Sequence, residues 1–400
     1  MKHIEKEMRH PNSEIPGGNE NTMHPNTKLC QKVRSLPVFT ALTLFAALAV
    51  QAHAQRIIKF DAPNSGTGAY EGTAPAGINL WGTITGSVTD NNNGTHGFVG
   101  TPGQFTDFDV PGANPVVGCT CPDSINDLGV VAGYDIDTNN VGHGFLRTPH
   151  GKITTFDVLE AGTGAYQGTY PVSITLFEVI AGNYIDTNNV SHGFVRTPDG
   201  KITTFDVLEA GTGAYQGTTP GGINDLAVVA GYYTDGNYVN HGFVRKPDGK
   251  ITTFDAPGAV GSAFGTIPYG INDLAVVAGY YLDTNYTSHG FLRTPDGVFT
   301  AFEAPGAGTG LYQGIYAEGT FPTVVNLEGA TTGFIVDDNA ETHPFVSAAN
   351  GKATTFDIPG QLAVPGTDIG AAGEAINAQG VIAGRWHDVN YVLHGFVRTP

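Results

Sequence analysis

Seven histidines recur along this 400-residue chain inside one short string, and imidazole is the side chain best suited to acid–base or metal chemistry near neutral pH. The string is Asp, any residue, Asn, three further residues, then His, Gly or Pro, and Phe. The histidines lie 47 to 54 positions apart: His96, His143, His192, His241, His289, His343 and His394. A catalytic group is normally needed once, and equivalent residues of a repeat array lie far apart. We therefore interpret the seven histidines as a repeated structural contact.

An Asp and an Asn precede each histidine by six and four positions. Short polar side chains that bond their own backbone and tolerate left-handed angles are typical of tight loops. The segment from Asp135 to Asn139 also resembles the start of a calcium loop, but it lacks the glycine and the distant glutamate of that motif. We predict no metal and no cofactor, with calcium as the alternative.

The chain repeats with a period of about 50 residues, which is typical of stacked supersecondary units. Each unit should therefore position its own copy of these residues. In residues 221–255, short runs of β-branched and aromatic residues alternate with turn signals, which predicts four antiparallel strands, the size of a propeller blade. Glycine accounts for 56 residues, and no stretch beyond residue 54 holds a helical period.

The two ends of the repeat region complement each other. The chain ends in a third strand, His394–Arg398, and residues 56–61 read as a fourth strand with no unit before it. We predict an all-β fold: a seven-bladed β-propeller of four-stranded antiparallel blades, closed by the N-terminal strand completing the last blade. A linear β-solenoid is the alternative, and it would leave both half-units unpaired.

The turn Thr197-Pro-Asp-Gly-Lys201 fixes the pairing of the strands beside it. Pairing Thr197 with Lys201 puts His192 opposite Asp206, where imidazole and carboxylate can form a charge-assisted hydrogen bond. The same spacing predicts His143 with Asp157 and His241 with Asp255, and closure predicts His394 with Asp61.

The loops between blades carry Gly-Thr-Gly-Ala-Tyr-Gln-Gly-Thr or variants of it, and residues 151–169 and 200–218 are identical. Their aromatic residues are Tyr70, Tyr166, Tyr215, Phe264 and Tyr312. Strand direction puts these loops on the same face as the Asp and Asn hairpins, and that mixture suits sugar rings or a protein contact. The alternative is that the aromatic rings fill gaps between blades.

Catalysis would need a departure from the repeat. Unit three has Thr175 in place of the usual Asn and carries Glu178, and the lengthened unit six carries Glu318. Such acids suit glycoside chemistry, but no spacing brings them together, and drift in a duplicated array explains them more simply. We predict that the protein is not an enzyme, and keep a carbohydrate-active enzyme as the alternative.

Residues 1–54 form an N-terminal extension with a secretion signal: basic residues from Lys28 to Arg34, an apolar run of fifteen residues from Leu36 to Val50, and Ala-His-Ala before Gln55. A spanning helix needs ~20 apolar residues, so we expect cleavage and no membrane span afterwards. Translation starts at Met1 or at Met23. Residues 55–400 are then a single seven-repeat domain, secreted to the extracellular space or the periplasm.

The net charge and the cysteine content limit which partners and metals the protein can bind. The 19 basic and 37 acidic residues fall to 13 and 33 without residues 1–54, a net charge near −20. Such a surface repels phosphate backbones, which excludes nucleic acid. Cys119 and Cys121 are two residues apart, which favours a local disulfide or an inert pair over a metal site.

The repeated segments Gly-Ile-Asn-Asp-Leu, Val-Val-Ala-Gly-Tyr, His-Gly-Phe-Val-Arg and Thr-Thr-Phe-Asp resemble the HAF family of bacterial extracellular repeats, over nearly all of residues 56–400. The resemblance implies export and a repeated β-architecture. It brings no established activity, ligand or catalytic residue that could be assigned to this chain. We predict a monomeric, non-catalytic binding or scaffold module for a glycan or a protein. A purely structural envelope protein is a further alternative.

Overall fold

The structure, a computed structural model, describes residues 55–113, 118–260, 265–312, 316–362, 364 and 369–400, all within the compact unit Ala52–Pro400. Every regular element in these ranges is a β-strand, so the all-β prediction is confirmed. The described part of the chain contains no helix of the length and apolar character needed to span a membrane. The segment 1–54 lies outside the described residues.

The first half of the chain contains the strands β1 (Arg56–Phe60), β2 (Gly72–Ile78), β3 (Ile84–Thr89), β4 (Thr95–Thr101), β5 (Gln104–Phe108), β6 (Thr120–Ile125), β7 (Val131–Ile136), β8 (Gly142–Arg147), β9 (Ile153–Phe156), β10 (Gly168–Ile174), β11 (Ile180–Ile185), β12 (Ser191–Arg196) and β13 (Ile202–Phe205). The second half contains β14 (Gly217–Ile223), β15 (Val229–Thr234), β16 (Asn240–Arg245), β17 (Ile251–Phe254), β18 (Thr266–Ile271), β19 (Val277–Leu282), β20 (Ser288–Arg293), β21 (Phe299–Phe302), β22 (Leu311–Tyr312), β23 (Tyr316–Ala317), β24 (Gly319–Val325), β25 (Thr331–Val336), β26 (Thr342–Ser347), β27 (Ala353–Thr355), β28 (Ala371–Ile376), β29 (Ile382–His387) and β30 (Leu393–Thr399).

Pairing in the described residues groups these strands into seven antiparallel units of four, with β22 and β23 as a separate small hairpin. We number them in chain order: unit 1 (β2–β5), unit 2 (β6–β9), unit 3 (β10–β13), unit 4 (β14–β17), unit 5 (β18–β21), unit 6 (β24–β27) and unit 7 (β28–β30 with β1). Some neighbouring units are joined by a single parallel pair, such as Ser191 with Gly217, which links the units into three large sheets.

The fourth strand of a unit follows a three-residue turn that sets its register. In unit 3 the amide of Thr197 donates to the carbonyl of Lys201 at 2.9 Å, and Gly200 takes a φ of 88°. Phe205 then lies opposite Gly193, and a Cβ on that glycine would come within 2.5 Å of the Phe205 ring. The small residue is needed there because the aromatic ring occupies the space.

The core consists of equivalent aromatic residues from each unit. The Phe of every His-Gly-Phe or His-Pro-Phe string is fully buried: Phe98, Phe145, Phe194, Phe243, Phe291, Phe345 and Phe396. Fourth-strand rings of one unit pack edge-on against these rings in the next, as Phe156 does on Phe194 at 6.2 Å. Arg196 in turn lies 4.8 Å from the centre of the Phe156 ring, a cation–π contact that recurs in other units. The string therefore packs neighbouring units together.

The first strand pairs with the last. β1 is antiparallel to β30 over five residue pairs, from Arg56 with Thr399 to Phe60 with Gly395. Phe60 is buried, and its ring occupies the space above Gly395 just as Phe205 does above Gly193. β1 thus takes the position of the fourth strand in unit 7.

A chain of asparagine side chains links the units at the turn after the first strand of each unit. The side-chain amide of each asparagine donates to the backbone carbonyl of its counterpart in the next unit, at 2.9 to 3.2 Å: Asn79 to Asn126, Asn126 to Thr175, Asn224 to Asn272, Asn272 to Asn326, Asn326 to Asn377, and Asn377 to Asn79. All are buried. Thr175 has no amide, so the link from unit 3 to unit 4 is missing.

Candidate functional site

The Asp and Asn loops lie between the second and third strands of each unit, and the aspartate organises its own backbone. In unit 3 the Oδ1 atom of Asp186 accepts the amides of Asn188 and Val190, both at 2.8 Å. Burial opposes ionisation of this carboxyl, but the two backbone donors hold its pKa below the ordinary value. The same arrangement recurs in all seven loops, so one carboxylate oxygen is already committed to the turn.

The structure brings each predicted histidine and carboxylate together. The Nδ1 atom lies within hydrogen-bond distance of a carboxylate oxygen in the four predicted pairs: His143–Asp157 and His192–Asp206 at 2.9 Å, His241–Asp255 at 2.8 Å, and His394–Asp61 at 2.7 Å. The remaining units pair His96 with Asp109, His289 with Glu303, and His343 with Asp357. An ionised carboxylate only accepts, so the imidazole N–H donates.

Each imidazole also faces the loop aspartate on its other side. The distance from Nε2 to the nearer oxygen is 3.7 Å between His192 and Asp186, and 3.4 to 3.9 Å in the other units. For His192 the hydrogen bond to Asp206 outweighs burial and raises the imidazole pKa. These contacts tie the fourth strand, the third strand and the hairpin loop of one unit together.

An aromatic ring stacks on the histidine in four units. Tyr184 lies over His192 with the ring centres 4.9 Å apart, and Tyr233, Tyr281 and Trp386 take the same place in units 4, 5 and 7. In unit 2 that place belongs to Asp135, whose Oδ1 atom is buried without a hydrogen bond. Burial raises the pKa of Asp135 to about 6, although the His143 charge opposes the shift.

Three of the predicted ligand-binding aromatics stand exposed in a strained backbone conformation. Tyr70, Tyr166 and Tyr215 have φ values of 65 to 66°, and their side chains are 65, 76 and 82% exposed. The backbone amides of Tyr166 and Tyr215 donate to Asn140 and Asn189, which are loop residues of the preceding unit. The inter-unit loops and the Asp and Asn loops are therefore neighbours.

Two of the predicted aromatic residues lie wholly or partly outside the described residues. Phe264 lies outside the described residues. The backbone of Tyr312 belongs to β22, but its side chain lies outside the described part of the structure. At the junction of units 7 and 1, the ring of Tyr70 lies 6.0 Å from that of Tyr391, which is also held at positive φ.

The acids considered for catalysis do not meet. Glu318 precedes the first strand of unit 6 and its carbonyl accepts from Ser288, as the carbonyl of Gln216 accepts from Ser191. It is therefore a regular member of the repeat, which corrects its interpretation as a departure. Glu178 lies in the turn after the first strand of unit 3, at the other end of an equivalent strand, about 20 Å away along its direction. Glycosidase carboxylates lie ~5–9.5 Å apart.

Other predicted residues have defined positions. Cys119 and Cys121 form a disulfide. Within the described ranges, one group of three side chains has metal-ligating atoms within 4.8 Å of each other: Asp337, Glu341 and His343 in the loop of unit 6. The other six loops have Gly, Val or Thr where this loop has Glu341.

Sequence reasoning missed the linked asparagines and the left-handed tyrosines. The asparagines had a visible signal, because Gly-Ile-Asn or a variant ends the first strand of most repeats. The tyrosines gave no such signal, because glycine or asparagine normally marks a positive φ.

No protein-family profile and no curated protein matches the sequence, so the resemblance to the HAF family stays a prediction. Among solved structures, the chain is similar to a prolyl endopeptidase structure at 13% identity and a TM-score of 0.51, covering 82% of this chain and 50% of that chain. The chain thus spans about half the length of that protein.

Two lectins are similar at lower scores. The BP39L lectin from Burkholderia pseudomallei matches at 8% identity and a TM-score of 0.49, over 80% of this chain and 94% of that chain. The lectin from Aleuria aurantia, a six-bladed β-propeller, matches at 12% identity and a TM-score of 0.37, over 67% and 86%. At these identities the likeness concerns the fold alone.

Proposed function

We propose that residues 55–400 form one closed, seven-bladed β-propeller that is exported from the cytoplasm and binds glycans without catalysing a reaction. Three observations support the ring: β1 completes the last unit, Asn377 donates to Asn79, and one cavity is lined by the first strands of all seven units. The export signal in residues 1–54 and the resemblance of the repeats support an extracellular or periplasmic location.

The positive φ angles of the exposed residues Tyr70, Tyr166 and Tyr215 are the observation that carries the binding proposal. A bulky residue at positive φ costs ~1–3 kcal/mol, and such strain persists mainly where it serves a function. Tyr70, Tyr166 and Tyr215 point most of their side chains into solvent, so their rings add little to the core. An aromatic ring held in this way offers a flat apolar surface with a hydroxyl at its edge.

The surroundings of these rings favour a glycan over a protein. The loops beside them present exposed asparagine side chains, such as Asn188 in unit 3. Its amide donates one hydrogen bond to Asp186 at 3.1 Å and keeps a second N–H and a carbonyl oxygen free. Sugar hydroxyls bond to such groups while the sugar's C–H face stacks on a tyrosine. Because the sites recur around the ring, each weak contact gains strength from multivalency.

A glycan array probed with the purified full chain tests this proposal, followed by calorimetry with the best-bound glycan. The variant Y70G/Y166G/Y215G removes the rings and relieves the positive-φ strain, so it should stay folded. We expect at least a tenfold weaker affinity. The matched control is L159A/L208A, which removes two apolar side chains, 93 and 94% exposed, from the same inter-unit segments. Absence of glycan binding, or equal binding by the tyrosine variant, contradicts the proposal.

A further inference from the structure

A cavity of about 220 Å³ is lined by residues from the first strand of each of the seven units. Every one of these strands has a register shift at the same place, which marks a β-bulge. A bulge redirects the side chain of its extra residue. The extra residues are Ala76, Asp123, Val172, Gly221, Tyr269, Thr323 and Glu374, and all of them line the cavity.

These seven residues differ in chemistry although the strands around them repeat. A proline precedes the bulge in units 1 to 6, whereas the bulge residue itself ranges from glycine to tyrosine. Val172 and Gly221 occupy the position in units 3 and 4, so the fold does not require a polar residue there. The bulge residues can therefore vary between units, and their side chains can determine what the cavity binds.

Of the two acidic bulge residues, Glu374 has a partner of opposite charge, whereas Asp123 has none within the described ranges. Glu374 is bonded to Arg385, with 2.9 Å between Oε1 and Nε. Among the residues that the structure describes, Asp123 has no hydrogen bond and no ion pair. Asp123 is half-buried, and removing an unpaired carboxylate even partly from water is costly. A ligand that supplies the missing positive charge would remove that cost.

Aromatic side chains lie close to Asp123. Burial raises the pKa of its carboxyl to about 8. Burial, reinforced by the charge of Asp123, raises the pKa of the Tyr134 hydroxyl to about 12. The Tyr134 ring packs edge-on against Tyr170 at 5.1 Å. A cation in this space would therefore have aromatic rings as well as a carboxylate beside it.

We propose that this cavity binds a small organic ammonium ion, with the carboxylate of Asp123 as its counter-charge. Tyr269 offers the aromatic face that is not stacked on Tyr280. The Thr323 hydroxyl donates to the carbonyl of Gly373 at 3.0 Å and keeps a lone pair that can accept a hydrogen bond. A divalent metal fits less well, because the described residues bring three metal-ligating side chains together at Asp337, Glu341 and His343 and not here. The site is separate from the exposed tyrosines and does not depend on glycan binding.

Calorimetric titration of the full chain with choline tests the proposal, with 3,3-dimethylbutan-1-ol as the neutral isostere. We expect choline to bind and the isostere not to bind. D123N should weaken choline binding at least tenfold. D123V, which installs the residue of unit 3, gives the same test if D123N folds poorly. E374Q is the matched control, since its carboxylate is already paired, and we expect less than a threefold change.

A pH series separates a charge effect from a change in shape. Choline keeps its charge at all pH values, and its binding must displace the proton from Asp123. Its affinity should therefore rise between pH 6 and pH 9 in the wild type and stay flat in D123N. Equal binding of the neutral isostere, unchanged binding by D123N, or no binding of choline at millimolar concentration overturns the proposal.

Discussion

The side-chain amide of Asn377 donates to the backbone carbonyl of Asn79 at 3.0 Å, across 298 positions of the chain. It is one of six such links, and the link after unit 3 is missing because Thr175 stands where the other units have asparagine. The hydroxyl of Thr175 still accepts the amide of Val179, as an asparagine oxygen does in the other turns. What is lost is the donor to the next unit.

Restoring that donor should stabilise the protein. T175N places an amide where it can reach the carbonyl of Asn224, and a net hydrogen bond contributes ~0.5–1.5 kcal/mol. We expect the free energy of unfolding in urea to rise by about that amount. The converse variant, N224T, should lower it by removing the link to Asn272. A decrease in stability for T175N would show that the turn of unit 3 is shaped for threonine.

The contact between Phe60 and Gly395 tests the pairing of the first strand with the last. A Cβ on Gly395 would lie 2.4 Å from the Phe60 ring, so G395A forces the ring to move. We expect a loss of ~1–3 kcal/mol, the usual cost of overpacking. In the double variant F60L/G395A, part of that loss should be recovered.

G236A is the matched control, because nothing lies within 4 Å of a Cβ at Gly236. We expect its stability to stay within ~0.5 kcal/mol of the wild type. If G395A and G236A were equally stable, β1 would not be docked on β30.

Asp123 should make stability fall as the pH rises. Its pKa is raised from 3.8 to about 8 in the folded chain, so the folded state keeps a proton that the unfolded state releases. Stability from this group is therefore full below about pH 4 and is lost between that pH and about 8. Urea unfolding of the wild type and D123N at pH 5, 7 and 9 measures the effect. The advantage of D123N should grow with pH, and a constant difference would mean that the carboxyl is not buried.

The pair of His192 and Asp206 should stabilise the folded chain more at low pH than at high pH. The hydrogen bond to Asp206 raises the pKa of His192, so its contribution is full below the unfolded value of ~6.5 and is lost as the pH rises through the folded value. Asp206 is half exposed, which limits the effect to ~0.5–1 kcal/mol.

D206N should thus destabilise the protein more at pH 6 than at pH 9. E209Q neutralises another exposed acid in the same segment and is the control. The pair would be unimportant if D206N and E209Q had the same stability at both pH values.

The sequence predicts strand contacts well where a turn fixes the register. The turn at Thr197–Lys201 has one favourable geometry, and the opposition of His192 and Asp206 follows from counting outward. The position of Asp123 could not be predicted in this way. It depends on a bulge after Pro122, and a bulge adds a residue without changing the hydrophobic pattern of the strand.

The tyrosines illustrate a second limit. Their presence in the inter-unit loops is visible in the sequence, but their contacts are not: the backbone amide of Tyr215 donates to the carbonyl of Asn189 in the preceding unit at 2.8 Å. That bond joins residues of different repeats, so no local propensity encodes it. Glu318 was misinterpreted for a different reason. The longer loop before it obscures the alignment of the repeats, although Glu318 occupies the same position in unit 6 as Gln216 does in unit 4.

The identical stretches 151–169 and 200–218 begin at the turn glycines of two successive hairpins, in front of β9 and β13. Homologous recombination between the two copies at the level of the gene would excise 49 codons in frame and would rejoin β8 directly to β13. Every remaining third strand would keep a fourth-strand partner, so the excision would reduce the number of four-stranded units from seven to six in one genetic step. Evolution of this chain can therefore proceed by gain and loss of whole modules as well as by point substitution.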